Sequence, residues 1–395
     1  MEPMLYLCRN EFRFSTMKPD STDTKAPSRP ALTASRTASR TKQTAKKDSK
    51  QPRRRNKKKP LGKGVAWTIG ITLTLVGLCG AALLIGIIGY HGPDKWVKIP
   101  SASTSGEVHQ SLRDSLGTAE GNRVYLLWKV MGSDAATASG AYLIPHGQSA
   151  FTTARKLRNG AQTPVKVTLR GLRLMQPMAE RLTAPLECSA EDFLAACDTI
   201  LPAEGFKPEE FPAAFIPDTY EMYWNSSPSK VVRRLLTYRD RFWNEERRDK
   251  ASALGLSPVQ VATIASIVEE ESAKTDEQPL IARLYLNRLH RGMLLQADPT
   301  VKFATGDFAL RRIKGEHLRT PSPYNTYLNK GLPPGPIRIA QPSTIDGVLN
   351  APVHDFIYMC AKEDFSGYHN FATDYATHMA NARRYQTELN RRNIH

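Results

Sequence analysis

From Val65 to Tyr90 the chain reads VAWTIGITLTLVGLCGAALLIGIIGY, 26 positions without a charged side chain. At about 1.5 Å per residue, a helix of this length crosses the roughly 30 Å hydrocarbon core of a bilayer with room to tilt. A buried helix of a water-soluble core is a poor fit, because Gly70, Gly77, Gly80, Gly86 and Gly89 weaken a helix in water. A cleavable signal peptide is the competing reading. Its apolar core typically covers only about 7–15 residues and lies near the N-terminus. The sequence therefore predicts an uncleaved single-pass transmembrane helix over residues 65–90, with Trp67 and Tyr90 as interfacial aromatics near its ends.

Charge gives that helix a direction. The 395 residues carry a formal charge of +17, but residues 1–64 hold 18 Lys and Arg against 5 Asp and Glu, so +13 belongs to this tail. Rich in Ser, Thr, Lys, Arg and Pro, residues 1–64 are expected to be a disordered, basic, cytoplasmic tail. The run Arg53-Arg54-Arg55-Asn56-Lys57-Lys58-Lys59 resembles a nucleic-acid patch when taken alone. It abuts the apolar span, however, and the positive-inside rule then places it on the cytoplasmic side and residues 91–395 outside. A nucleic-acid partner is excluded on this reading. Residues 1–16 read unlike the tail that follows, and Met17 is a second candidate start beside Met1. Cys188, Cys197 and Cys360 fall in the exported part, where one disulfide among them is compatible with an oxidising compartment. No Cys or His spacing matches a metal site, and no cofactor is implied.

In the exported part, residues 91–105 read as a linker and 106–165 as a small module. Within that module helical text at Gly106–Leu112 precedes an apolar run at Val124–Val130, a strand at Ser139–Pro145 and a helix at Ala150–Leu157. Residues 166–395 form the larger domain. Its alternating VKVTLRGLR at 165–173 predicts a strand leading into a helix at Met175–Leu182. A long basic amphipathic helix is expected at Val231–Arg247, another at Leu280–Arg291 capped by Gly292, a buried strand at Phe356–Cys360 and a polar helix at Ala376–Asn393. Mixed helices and short strands without a regular β-α-β repeat predict the α+β class.

The densest chemical signal is VATIASIVEEESAK, residues 261–274. With Ile264 taken as zero and about 100° per residue, Val261 falls near ~+60°, Ile267 near ~−60° and Val268 near ~+40°. Glu271 then lands near ~−20°, inside the apolar stripe, whereas Glu269 and Glu270 point to about 140° and −120°. A carboxyl on an apolar face is either paired, open to a cleft, or kept partly neutral, and the last state suits a general acid. A frayed helix end with a solvated Glu271 is the bland alternative.

Four further motifs follow in order: Asn287-Arg288-Leu289, Gln296-Ala297-Asp298-Pro299, Pro323-Tyr324-Asn325-Thr326-Tyr327 and Gly331-Leu332-Pro333-Pro334-Gly335. Together with the SIVEEES segment and the Pro217-Asp218-Thr219-Tyr220 segment, they resemble the YceG-like family of endolytic murein transglycosylases over roughly residues 165–390. In that family's E-x-E motif the second acid is catalytic, which here is Glu271. The resemblance implies a lyase that cleaves MurNAc–GlcNAc bonds in nascent peptidoglycan strands and leaves 1,6-anhydroMurNAc ends. It also implies a LysM-like α/β module at 106–165, for which a spacer and packing domain is an equal alternative to glycan binding, a bacterial cytoplasmic-membrane location and cell-wall synthases as partners. Glu271 would act first as acid and then as base. Gln296, Asp298, Tyr324 and Asn325 would position substrate or stabilise charge, with Glu269 as a hydrogen-bonding neighbour or plainly solvated. Duller roles stand beside these. Asp298 is also placed to cap a helix starting at Pro299, Tyr324 to fill a core, and Asn325-Thr326 to make a turn. Glu270 stands where the family commonly has Lys, and it is expected to be solvated and to add negative charge beside Glu271. A catalytically silent glycan-binding scaffold and a muramidase-type hydrolase remain as alternatives.

Overall fold

The computed structural model describes residues 63–87, 89–132, 134–310 and 312–392. The tail expected at 1–64 therefore lies almost wholly outside the described residues, as does the choice between Met1 and Met17. Helix α1 spans Lys63–Ile87 and falls, as far as Leu83, in a unit separate from Leu84–His395. Several of its described apolar side chains are exposed, among them Trp67, Leu73 and Val76. Among the described residues no single helix is long and apolar enough to cross a membrane; the apolar stretch described is Trp67–Ala81.

The first module begins earlier than its sequence boundary. Strand β1 (Lys95–Ile99) pairs antiparallel with β2 (Gly140–Ile144), Lys95 facing Ile144 and Ile99 facing Gly140. The expected linker 91–105 thus contains a strand. In KWVKI only two residues, Val97 and Ile99, point inward, too short an alternation to stand out from loop text. Helices α2 (Ser105–Leu116), α3 (Thr118–Val130), α4 (Ala135–Ala138) and α5 (Ala150–Arg158) cover one core of Val97, Leu112, Trp128, Tyr142 and Leu157. Thr104 and Glu107 close a reciprocal cap at the start of α2. Tyr90, expected at a membrane interface, is buried in this core and exchanges backbone hydrogen bonds with Gln148 and Gly147.

A second core gathers around β3 (Val165–Leu169) and β4 (Asp218–Met222), antiparallel with Val165 opposite Met222 and Leu169 opposite Asp218. Helices α6 (Met175–Thr183), α7 (Ala190–Ala203) and α8 (Pro228–Phe242) enclose it, with Phe193, Phe215 and Tyr220 inside. The long helix expected at Val231–Arg247 is broken. It stops at Phe242, and α9 (Glu245–Ala253) restarts where the Asn244 side chain accepts the Arg247 N–H at 3.0 Å. An Asn followed by Glu245 and Glu246 is a helix-start signal, and it overrides the continuing periodicity.

The third core holds α10 (Pro258–Glu271), α11 (Gln278–His290), α12 (Asp298–Thr305), α13 (Pro342–Leu349) and the antiparallel pair β5 (Tyr358–Ala361) and β6 (His369–Ala372). Helix α14 (Tyr375–Arg391) closes it, turning His378, Tyr385 and Leu389 inward. Helices with three two-stranded antiparallel sheets among the described residues make the chain α+β, as expected. Cys188, Cys197 and Cys360 are free thiols, so the disulfide held open by the sequence is not formed. Burial pushes the Cys197 thiol up to about 12, which suits an inert core residue.

Candidate active site

Helix α10 carries the acid cluster. It starts at a reciprocal cap: Ser257 Oγ accepts the Gln260 N–H at 3.2 Å, and the Ser257 N–H donates back to Gln260 Oε1 at 2.8 Å. Pro258 fills the first helical position, where a missing N–H is harmless. Every residue from Val261 to Val268 is buried. The helix is therefore covered on all faces, by α9, α11, α12 and α13, and the one-sided stripe expected from the wheel is absent. Glu269, Glu270 and Glu271 are all half-buried. What separates them is their partners.

Glu270 is not solvated. Its carboxylate is bridged by Arg338 Nη1 at 2.8 Å and Arg173 Nη2 at 2.6 Å, and only 10% of its side chain is exposed. Its charge is thus met by two guanidinium groups rather than left beside Glu271. Glu269 accepts the Gln341 N–H at 2.7 Å and lies 3.0 Å from Arg338 Nη2. Burial raises its pKa, and the Gln341 N–H and Arg338 offset that only in part. These two acids fasten the end of α10 to the loops at Gly171–Arg173 and Arg338–Gln341. Glu271 makes no salt bridge among the described residues; its hydrogen-bond contact is the Tyr285 hydroxyl on α11, 3.5 Å from Oε2.

A buried arginine organises the segment before α12. Arg288, 2% exposed, donates from Nε to the Leu294 carbonyl, from Nη1 to the Ile357 carbonyl and from Nη2 to Gln296 Oε1 at 2.6 Å. Gln296 itself sits at φ 51°, a left-handed conformation that is strained for a residue with a Cβ. Its N–H donates to the Thr326 carbonyl. The side-chain oxygen expected to meet substrate is therefore taken up by Arg288. Asp298 is the first residue of α12 rather than its cap; the N-cap is Ala297. Its Oδ1 accepts the Tyr327 hydroxyl at 2.6 Å. Burial, followed by the charge of Asp298 and more weakly those of Glu271 and Tyr285, pushes the Tyr327 phenol far up, so it stays a donor. Glu271, Tyr285, Tyr327 and Asp298 thus form one electrostatically coupled group.

Asn325, expected near substrate, is fully buried. It donates to the Leu318 and Thr320 carbonyls, both at 2.9 Å, and accepts the Tyr327 N–H at 3.0 Å. It braces the loop that presents Tyr327, which agrees with the turn reading. Tyr324 is half-buried against Phe303, with ring centroids 4.7 Å apart, and burial lifts its phenol to about 12. The loop 331–335 packs so tightly that a Cβ on Gly335 would collide with the Glu209 carbonyl. Just beyond it, the Ile337 N–H donates to Ser266 Oγ on α10 at 3.0 Å.

Tyr285, Tyr327, Arg338, Arg173, Glu277 and His369 were not assigned from sequence. Their partners lie far away along the chain, as with Arg338 and Glu270, 68 positions apart, so no local spacing marks them. Among the described residues no group of three or more His, Cys, Asp or Glu side chains is gathered as a metal site. Chemically the arrangement offers one carboxylate hydrogen-bonded to a phenol and a second hydrogen-bonded to another phenol, which feels the charge of both.

A family model described as the YceG-like family matches residues 97–384. A protein of Bacillus subtilis (strain 168) named endolytic murein transglycosylase is 32% identical over 163 residues, which is 41% of this chain and 43% of that one. A protein of the same name from Streptococcus pneumoniae serotype 2 is 31% identical over 149 residues, 37% of this chain and 27% of that one. The matched region spans less than half the length of these relatives. The crystal structure of a YceG-like protein from Listeria monocytogenes is similar with a TM-score of 0.47 at 24% identity, over 73% of this chain and 99% of that one.

Proposed function

The chain belongs to the YceG-like family, and on that premise we propose that it is a membrane-anchored endolytic lytic transglycosylase of peptidoglycan. The observation that carries this reading is Glu271, the last residue of a buried helix, hydrogen-bonded to a phenol and outside the salt bridges that hold its two neighbours. In the proposed reaction Glu271 protonates the glycosidic oxygen between MurNAc and GlcNAc as the C1–O bond breaks. Asp298, oriented by Tyr327, stabilises positive charge developing at C1. Glu271 then takes the proton of the C6 hydroxyl as its oxygen bonds to C1, giving a 1,6-anhydro end without water. The names of the curated relatives support the substrate class.

Anchoring and location belong to the same proposal. They rest on the uncharged run 65–90 behind a tail of +13, and on the helix formed over Lys63–Ile87. With the tail in the cytoplasm, the site faces the strands as they emerge at the outer surface, so cell-wall synthases are the implied partners. The first module, with its two strands and packed helices, would serve as the LysM-like glycan-binding unit. Digestion of purified peptidoglycan by the full-length protein, read by product mass, tests the activity. Anhydro-muropeptides are expected; reducing ends would make it a hydrolase, and intact glycan a binding protein. A reporter fused after His395 should be active only outside the cytoplasm, and a cytoplasmic signal would overturn both orientation and substrate.

A further inference from the structure

His369, at the start of β6, has a histidine's titratable chemistry and no role in the reaction drawn above. The ring is 11% exposed and its partner Glu277 4%. Nδ1 lies 2.8 Å from Glu277 Oε2, and the His369 backbone N–H donates to Glu277 Oε1 at 2.7 Å. Two bonds to one carboxylate set both the tautomer and the tilt of the ring. The same carboxylate reaches the catalytic helix, because Ser272, the residue after Glu271, donates its hydroxyl to Glu277 Oε2 at 3.2 Å. With Nδ1 taken, Nε2 is the ring's remaining polar atom.

The groups facing the ring are nearly all acidic. They are Glu271 from α10, Glu277 from the turn before α11 and Cys360 from β5. Burial alone would push the imidazole down, but the Glu277 hydrogen bond and the charges of Glu271 and Glu277 outweigh it, and the pKa is raised above 6.5. A brace between the end of α10 and β6 would be served as well by a neutral amide. A cation coupled to Glu271 is a different device.

We propose that His369 is a positioning residue for Glu271: an imidazolium held by Glu277 that stabilises the Glu271 carboxylate between its two proton transfers. This rests on the transglycosylase reading of Glu271. Glu271 loses its proton to the leaving oxygen, becomes an anion beside the imidazolium, and regains a proton from the C6 hydroxyl as the C6–O–C1 bond closes. His369 keeps its own proton throughout, so the step balances without water or any other reactant. A fixed charge held near one that appears only during reaction lowers the barrier without reorganising.

The test is the pH profile of anhydro-end formation by the full-length protein on soluble glycan strands, over about pH 5–8, where imidazole titrates. In the wild type kcat is expected to fall as pH rises through the titration of His369. His369→Gln should lose that descending limb and be slower by about tenfold or more on the acid side, with KM little changed. Glu277→Gln keeps a hydrogen bond but removes the charge that holds the proton on the ring, so its limb should move to lower pH. Should His369→Gln fail to fold, judged by its thermal transition, the Glu277→Gln limb decides. A wild-type profile in the folded variants, or a change confined to KM, overturns the proposal while leaving the activity standing. If the wild type forms no anhydro ends, the transglycosylase reading itself falls.

Discussion

Arg338 Nη1 donates to Glu270 Oε1 at 2.8 Å across the last turn of α10. The same guanidinium lies 3.0 Å from Glu269 through Nη2, which also donates to the Gly171 carbonyl. One side chain thus neutralises two adjacent acids and ties the turn that ends in Glu271 to the loop after β3. Removing one partner of a buried pair leaves the other charge uncompensated, at a cost of about 3–5 kcal/mol. Arg338→Met is expected to lose stability on that scale in denaturant unfolding. Arg338→Lys should recover only part, because an ammonium cannot fork between two carboxylates.

How far the site was legible follows from where its partners sit in the chain. Glu271 was singled out twice, by the wheel and by family resemblance, but the wheel reached it through a one-sided stripe that the helix does not have. A stripe of Val and Ile alone omits Ala262, Thr263, Ala265 and Ser266, which are buried as well. Small residues bury as easily as large ones when a neighbouring element approaches closely. Glu270 was misplaced for a related reason: its partners Arg173 and Arg338 come from loops on either side, invisible to any local period. Elements with strong punctuation are legible, as at β2, which Pro145 ends, and α11, which Gly292 follows. The strand β1 and the α8–α9 break are not, since each depends on a pairing or a cap that outcompetes the local text.

Asn325 replaces two missing backbone partners at once, so Asn325→Ala should strand the Leu318 and Thr320 carbonyls in a buried loop. An unsatisfied buried polar group costs about 1–3 kcal/mol. The loss should appear in the unfolding midpoint. Activity should fall chiefly in kcat, because the displaced loop carries Tyr327 and with it the orientation of Asp298.

The His369–Glu277 pair makes stability depend on pH with a definite sign. The folded imidazole has its pKa raised above the value of 6.5 expected when unfolded, so the folded state binds the proton more tightly. The stabilisation is fully present below about pH 6.5 and is lost as pH rises through the folded pKa. The thermal midpoint of the wild type is therefore expected to decline over that interval. In His369→Gln the decline should be shallower, and an identical slope would show that the imidazole does not titrate there.

Tyr90 sets the start of the first module. It is 6% exposed, and Gly89 bridges to Ser149. A chain beginning at Lys95 lacks this ring, and losing a buried aromatic costs about 3–5 kcal/mol. A chain beginning at Gly89 is expected to unfold cooperatively and at a clearly higher midpoint than one beginning at Lys95. Equal midpoints would mean that the ring contributes nothing and that the module begins at β1.

The acid cluster itself gives the sharpest comparison, because three neighbouring glutamates have three different surroundings. Glu271→Gln keeps the reach to Tyr285 but cannot deliver a proton, and general acid–base assistance is worth roughly 10²–10⁴-fold in rate. Cleavage should fall at least that far, with unfolding and glycan affinity nearly unchanged, since no ion pair is broken. Glu270→Gln should behave in the opposite way. Its carboxylate satisfies Arg173 and Arg338, so stability should drop while the chemistry survives in whatever remains folded. Glu269→Gln should fall between the two in stability, because it gives up the contact with Arg338 while a neutral amide relieves the burial cost of a charged carboxylate there. Rates of anhydro-end release set beside denaturant midpoints for the three variants separate these outcomes. If Glu271→Gln retains most of its rate, the general acid is another group, and Asp298 is next in line.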